Sequence, residues 1–73
     1  MADTDKVTGL GARIREIRER NHWTQEQVGP WCGMSGNMIA QFELERSLPN
    51  ADNLAKLAKG LRVTSDWLLG IEV

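Results

Sequence analysis

The stretch WTQEQVGPWCGMSGNMIAQFE, residues 23–43, contains the pattern from which the rest of the chain can be interpreted. Thr24 and Ser35 are each placed to cap a helix, because a hydroxyl can accept a hydrogen bond from an early backbone N–H that has no helical partner. Between them, Gly33 lies where the first helix must end and the chain must reverse, a position that often requires a positive φ. The stretch therefore predicts two short helices joined by a tight turn.

Apolar residues at helical spacing give each of these two helices one buried face. Val28 and Cys32 lie one turn apart in the first helix, and Ile39 and Phe42 lie three residues apart in the second. Gly29 is small enough for the second helix to cross the first at close range. The caps, the turn glycine, the small residue at Gly29 and the two apolar faces together indicate this pair of helices more specifically than any one of these features.

The flanking sequence predicts three further helices, which makes the fold an all-α bundle of five helices. We expect the first helix to run from a cap at Thr8 to about Arg20, the fourth to open at Asn50, and a short fifth to be capped at Thr64 or Ser65. Only two prolines, few β-branched residues and no tyrosine argue against a sheet. The predicted core comprises Leu10, Ile14, Ile17, Val28, Cys32, Ile39, Phe42, Leu54, Leu57, Leu61, Trp67 and Leu68.

The 73 residues suffice for one small domain, close to the size at which a single core is only just enough. We expect residues 1–7 to form a flexible arm, residues 8–70 the domain, and residues 71–73 a C-terminal tail or the start of a linker. One cysteine and one histidine are far short of a zinc site, so we expect no metal and no cofactor. No apolar run approaches the ~20 residues of a membrane span, and no signal peptide precedes the charged start. These features predict a cytoplasmic protein without a membrane partner or a small-molecule ligand.

The formal net charge is −1, whereas a nucleic-acid-binding domain typically has a basic excess. The distribution of charge matters more than its sum. Asp3, Asp5 and Glu72 lie near the chain ends, while four arginines cluster in the predicted first helix. Charge alone leaves DNA binding open, and the prediction depends on the motif.

The face of the third predicted helix opposite Ile39 and Phe42 is uncharged, small and amide-bearing. Such a face suits the major groove of DNA, where an amide can bond bidentately to N6 and N7 of adenine. An ordinary solvated face would more often have lysine and glutamate. The residues on this face are Gly36, Asn37, Ala40 and Gln41.

Pro30 and Trp31 are anomalous in the second predicted helix. A helix-interior proline removes a backbone hydrogen bond and costs ~3 kcal/mol against alanine. We expect a kink or a loosened last turn at Gly29–Pro30, tolerated because the helix is ending; an adjustment of how the two helices meet is the alternative. Trp31 either packs over this point or contacts a partner.

With its flanks LGARIREIRERNHWTQEQV, residues 10–28, and PNADNLAKLAKGLRVTSDWLLG, residues 49–70, the pattern resembles the Cro and repressor family of helix-turn-helix DNA-binding domains. The resemblance covers about Leu10 to Gly70, and lambdoid phage repressor N-terminal domains are the most similar. It implies a transcriptional repressor, of phage or prophage type, that binds double-stranded operator DNA sequence-specifically as a homodimer. Such a protein would act in a bacterial cell or a phage-infected host.

The resemblance also implies site residues. Asn37 occupies the position of the family's main base-reading residue, Gln41 is the second candidate, and Gly36 stands where a reading side chain is common. Arg18 is expected to form an ion pair with Glu43 at the end of the third predicted helix, which corresponds to the recognition helix of the family. We expect this pair to be partly buried and to contribute about 1 kcal/mol to stability. Phosphate contacts are expected from the first helix, from the starts of the second and third helices, and from the loop after the third helix. The residues are Arg13, Arg18, Gln25, Ser35 and Arg46.

The loop after the recognition helix departs from the family pattern. Many members have a glycine there, whereas residues 44–48 contain none, so either another residue adopts the turn or the turn differs. Glu45 in this loop would repel phosphates if it faced DNA, and Arg46 could offset that repulsion.

Two other functional classes are weighed against DNA binding. A protein-interaction module of the same fold, such as the antitoxin of a toxin–antitoxin pair or a coactivator-like bridge, is supported by the near-neutral charge, Trp31 and Leu44. An enzyme is disfavoured, because the sequence has no nucleophile–base pair, carboxylate pair, metal set or phosphate-cradling loop.

Overall fold

A computed structural model describes residues 9–71, and this part of the chain is an all-α bundle without strands, as predicted. The predicted arm at residues 1–7, Thr8 and residues 72–73 lie outside the described residues. No helix between residues 9 and 71 is long and apolar enough to cross a membrane. In chain order the helices are α1 (Leu10–Arg20), α2 (Gln25–Trp31), α3 (Gly36–Glu43), α4 (Ala51–Leu61) and α5 (Ser65–Leu69).

Four of the five helices begin at a side-chain cap, as predicted. The Thr24 hydroxyl accepts a hydrogen bond from the backbone N–H of Gln27 at 3.0 Å, and the Gln27 side chain accepts one from the backbone N–H of Thr24 at 2.8 Å. These reciprocal bonds form a capping box at the start of α2. Ser35, Asn50 and Thr64 each accept a bond from the backbone N–H three residues on, at the starts of α3, α4 and α5.

We expect Thr24→Ala to lower the free energy of unfolding by about 1 kcal/mol, since it removes the hydroxyl of the capping box and leaves the N–H of Gln27 only its 3.2 Å bond to the carbonyl of Thr24. Urea unfolding followed by circular dichroism measures the loss. Ser47→Ala is the matched control, because the exposed Ser47 side chain forms no hydrogen bond within residues 9–71. Equal losses in the two variants would contradict a capping role.

The start of α1 differs from the prediction. Its N-cap is Gly9, with φ 81°, and this residue provides no side-chain cap. Instead, the carboxylate of Glu45 accepts a hydrogen bond from the backbone N–H of Gly11 at 3.0 Å. Glu45 lies 34 residues further along the chain, so a cap rule based on neighbouring residues could not identify it.

One hydrophobic core joins the five helices. Of the predicted core residues, Ile17, Leu54 and Trp67 are only partly buried and pack against the centre, as does Trp23. The buried core comprises Leu10, Ile14, Val28, Cys32, Ile39, Phe42, Leu57, Leu61 and Leu68.

The turn between α2 and α3 has the geometry that its glycines predicted. Gly33 has φ 68°. A Cβ on Gly29 would lie 2.8 Å from backbone atoms of residues 34–36, so only glycine permits this crossing. After Pro30 the N–H of Cys32 is shared between the carbonyls of Val28 and Gly29, which confirms a loosened last turn. The last helical residue is Trp31, directly after Pro30.

Candidate nucleic-acid interface

The two faces of α3 separate as the sequence predicted. Ile39 and Phe42 are buried in the core. On the opposite side Asn37 is exposed, and Ala40 and Gln41 are half-buried. The outward surface of this helix is therefore uncharged and includes two carboxamides.

Gly36 is less open than the other residues of this face. A Cβ there would lie 3.1 Å from Cα of Glu26 and 3.2 Å from its backbone nitrogen. The first residue of α3 is thus pressed against the first turn of α2, which explains why a small residue stands where a reading side chain is common. Any base contact by Gly36 has to come from its backbone, and its assignment to base reading stays a prediction.

Glu43, the last residue of α3, is held by Arg18. Nε of Arg18 donates to Oε2 of Glu43 at 2.6 Å, and Nη2 donates to Oε1 at 3.0 Å. Nη1 of the same guanidinium donates to the carbonyl of Trp23 at 3.0 Å. The predicted pair is confirmed, but it is more buried than expected, with side-chain exposures of 14% for Arg18 and 0% for Glu43. Its contribution of about 1 kcal/mol stays a prediction. Removal of one partner alone should cost more, because the other charge is then left buried without compensation.

Two further donors reach the Glu43 carboxylate. Nε2 of Gln25, at the start of α2, donates to Oε1 at 3.2 Å, and Nε of Arg15, in α1, donates to the same oxygen at 3.4 Å. The end of α3 is thereby bonded to both preceding helices. We call Glu43, Arg18, Gln25 and Arg15 the carboxylate hub.

The pKa of Glu43 reflects two opposing influences. Burial raises the pKa of this carboxyl, but the hydrogen bonds from Arg18, Gln25 and Arg15 outweigh burial and hold the pKa below its ordinary value. The same contact with Glu43 raises the pKa of Arg18. Both groups are therefore charged near neutral pH.

A lowered carboxyl pKa makes stability depend on pH in one direction. The contribution of Glu43 is complete above the ordinary carboxyl pKa and is lost as the pH falls through the lower pKa of the folded state. We expect the free energy of unfolding to fall on acidification below about pH 4, and more steeply in the natural protein than in Glu43→Gln. Urea unfolding at a series of pH values measures both slopes. Identical slopes would contradict this assignment.

The residues predicted to contact phosphate lie in different surroundings. Gln25 is the first residue of α2, with its amide turned to the hub, and Ser35 caps α3. Arg46 is exposed in the loop after α3, and its side chain forms no ion pair within the described residues. Arg18 is engaged by Glu43 and Trp23, as described above. Arg13 lies elsewhere, as its guanidinium packs beside Gly9 and Gly70, at the junction of α1 and α5.

Sequence reasoning missed the role of Glu45. This residue adopts φ 57°, and it is the non-glycine residue that accepts the turn after α3. Its carboxylate is directed to the N–H of Gly11, where the positive end of α1 favours negative charge. The absence of glycine from residues 44–48 signalled an unusual turn, but nothing local indicated the partner.

A model of the helix-turn-helix family matches residues 14–68 of the chain. The chain belongs to this family. The matched region contains α2, α3 and α4 complete, most of α1, and α5 as far as Leu68.

Two curated relatives are transcriptional regulators. The HTH-type transcriptional regulator ImmR of Bacillus subtilis (strain 168) is 31% identical over 61 residues, which are 84% of this chain and 48% of that protein. Repressor protein C2 of Salmonella phage P22 is 37% identical over 60 residues, which are 82% of this chain and 28% of that protein. The chain thus spans about half the length of the first relative and less of the second.

A solved structure shares the fold closely. The crystal structure of the P22 c2 repressor protein in complex with synthetic operator 9T, in the presence of Tl+, superposes with a TM-score of 0.80 and 35% sequence identity. The match covers 86% of this chain and 96% of that chain. The five-helix arrangement described above is therefore shared with the P22 c2 repressor structure.

Proposed function

We propose that the protein binds double-stranded operator DNA sequence-specifically and represses transcription, as a homodimer in a bacterial cell. The observation that carries this proposal is the outward face of α3, uncharged and amide-bearing on a helix whose opposite face is fixed in the core. The relatives support it, since they are transcriptional regulators and one was solved on its operator. The alternative, a protein-interaction module, has no comparable support among these relatives.

Base reading is assigned to Asn37 and Gln41, with Ala40 beside them and Gly36 contributing through its backbone. The two carboxamides lie one helical turn apart, so both can meet base edges in one major groove. A carboxamide can bond bidentately to adenine. Ala40 between them presents a methyl group that can contact a thymine methyl.

Phosphate contacts are assigned to Gln25, Ser35 and Arg46, with Arg13 and Arg18 as further candidates. The carboxylate hub supports this assignment, because a bare carboxylate at the end of the recognition helix would repel phosphates. Here Arg18 and Arg15 neutralise Glu43, and the Arg15 side chain stays about half exposed. The hub also fixes the amide of Gln25 at the start of α2.

Dimerisation is assigned to apolar surface outside the core. Leu48 and Ile71 are both more than half exposed. Two domains on adjacent half-sites lie about 34 Å apart, one turn of the DNA helix. This spacing requires contacts near the edges of each domain.

We expect Asn37→Ala to lose roughly 1–3 kcal/mol of affinity for the preferred operator and little affinity for other sequences. Arg46→Ala should weaken binding to both alike and lower the slope of log affinity against log salt by about one. Selection from a random duplex library identifies the operator. Titration at several salt concentrations, against that operator and a scrambled duplex, then compares the two variants.

Each substitution serves as a control for the other. If Asn37→Ala weakens both duplexes equally, the residue that discriminates sequence lies elsewhere. If neither duplex binds the natural protein, even as a linked dimer at low salt, the interaction-module alternative replaces the proposal.

A further inference from the structure

A cleft between the end of α2 and the end of α4 is not used by the proposed DNA contacts. It has a volume of about 510 Å³ and is lined by Trp23, Trp31, Lys59, Gly60 and Arg62. None of these residues belongs to α3, to the loop after it or to the carboxylate hub. We call this cleft the tryptophan cleft.

Two indole rings form its apolar wall. The ring centroids of Trp23 and Trp31 lie 4.9 Å apart, with an interplanar angle of 85°, an edge-to-face contact. Trp31 is nonetheless 50% exposed, so its pairing with Trp23 leaves half of this indole side chain in water. Trp23 is partly buried against the core and supports the exposed ring from beneath.

Gly60, which lines the cleft, lies where α4 crosses the end of α2 at close range. A Cβ on Gly60 would lie 2.9 Å from the carbonyl oxygen of Trp31 and closer still to Sγ of Cys32. α4 therefore passes directly against the last turn of α2.

The polar lining of the cleft is cationic. Lys59 lies in the last turn of α4, and Arg62 caps its end. Neither forms an ion pair anywhere within residues 9–71, and no carboxylate lines the cleft. A second cleft shares Trp31 and Lys59 with the first and is also lined by Lys56, which forms an ion pair with Asp52 at 3.3 Å. The unpaired positive charge beside the indole therefore comes from Lys59 and Arg62.

We propose that the tryptophan cleft is a docking site for an acidic segment of a partner protein that inserts one apolar side chain against Trp31. Charge complementarity favours this occupant, because two unpaired cations frame an apolar wall. Tryptophan and arginine are also the residue types that most often dominate binding at protein interfaces. A small metabolite fits less well, since small-ligand sites have fixed polar groups that set orientation, whereas the polar groups here are two long, mobile cations.

The experiment is a selection from a random linear peptide library displayed on phage, with the full 73-residue chain as target. The proposal expects the enriched peptides to combine acidic residues with one aromatic or aliphatic residue. The best peptide is then synthesised and titrated calorimetrically against the natural protein and its variants. Binding should weaken roughly tenfold or more in Trp31→Ala and should fall with rising salt.

Substitution of both cations keeps the test independent of folding. Lys59→Gln with Arg62→Gln leaves both indoles in place and should weaken the peptide several-fold while flattening its salt dependence. Leu44→Ala, which removes an exposed apolar side chain outside the cleft, and Arg20→Ala, which removes an exposed cation that pairs with Glu16, are the controls and should bind the peptide normally. Operator DNA should bind Trp31→Ala as it binds the natural protein.

Four results would overturn the proposal. The library could yield no enriched peptide, or peptides without acidic residues, or peptides that bind Trp31→Ala and the natural protein equally well. In the fourth, an occupant of another class uses the cleft: a single-stranded oligonucleotide competes with the peptide, or Trp31 mediates self-association of the chain in sedimentation. A failure of DNA binding in the separate operator experiment would leave the peptide result untouched.

Discussion

Glu43→Ala is expected to lower the free energy of unfolding by about 3–5 kcal/mol, because removing one partner of a buried ion pair leaves the other without compensation. Arg18 would keep only its bond to the carbonyl of Trp23, and Gln25 and Arg15 would each lose an acceptor. For a domain of this size that loss is a large part of the total stability. Urea unfolding followed by tryptophan fluorescence measures it.

Two further measurements separate the ion pair from other effects. Glu19→Ala removes an exposed carboxylate that forms no ion pair within residues 9–71, so we expect it to change stability little. The double substitution Arg18→Met with Glu43→Leu should be less destabilising than either Arg18→Ala or Glu43→Ala, since it removes both charges and keeps the volume. A loss for Glu43→Ala no larger than for Glu19→Ala would contradict the hub as a stabilising element.

Gly11→Ala is expected to destabilise the fold by about 3 kcal/mol, at the upper end of the cost of overpacking. A Cβ at this position would lie 2.7 Å from the carbonyl oxygen of Phe42 and closer still to that of Glu43. Helix propensity acts in the opposite direction, as alanine is favoured over glycine by about 1 kcal/mol within a helix. The clash wins because the obstructing atoms are backbone, and α1 must move away from the end of α3 to relieve it.

Gly36→Ala is the comparison variant for this prediction, because its expected steric clash is milder. Its nearest contact would be 3.1 Å, to Cα of Glu26, so a shift of a few tenths of an ångström accommodates it. Thermal unfolding of the two variants under one condition should show a large decrease in midpoint for Gly11→Ala and a small change for Gly36→Ala. A stabilised Gly11→Ala would mean that α1 is not packed against the end of α3 as described.

The sequence correctly predicted the structural features that depend on residues close together in the chain. The caps at Thr24, Ser35 and Asn50, the positive φ of Gly33 and the buried faces of α2 and α3 follow from spacing alone. Each is determined within a few residues, where helix geometry is fixed by bonding and sterics. Local rules therefore gave five helices and most of the core.

Contacts between distant residues were predicted only where the family resemblance supplied them. The pair between Arg18 and Glu43 was expected on that ground, but its depth was not, because burial depends on how α1, α2 and α3 meet. The bond from Gly11 to Glu45 was missed altogether, since no spacing rule links residues 34 apart. The position of Arg13 beside Gly70 likewise depends on where α5 packs, which the periodicity of α1 alone does not specify.

The division of α3 into two faces has a consequence for how such a protein can acquire a new target. Its inward residues hold the domain together, whereas the side chains of its outward residues form no hydrogen bond within residues 9–71. Under the proposed function, we expect that three outward positions can be randomised together to change operator preference while the buried residues of α3 keep the domain folded. The inward residues are Ile39, Phe42 and Glu43, and the three positions open to recoding are Asn37, Ala40 and Gln41.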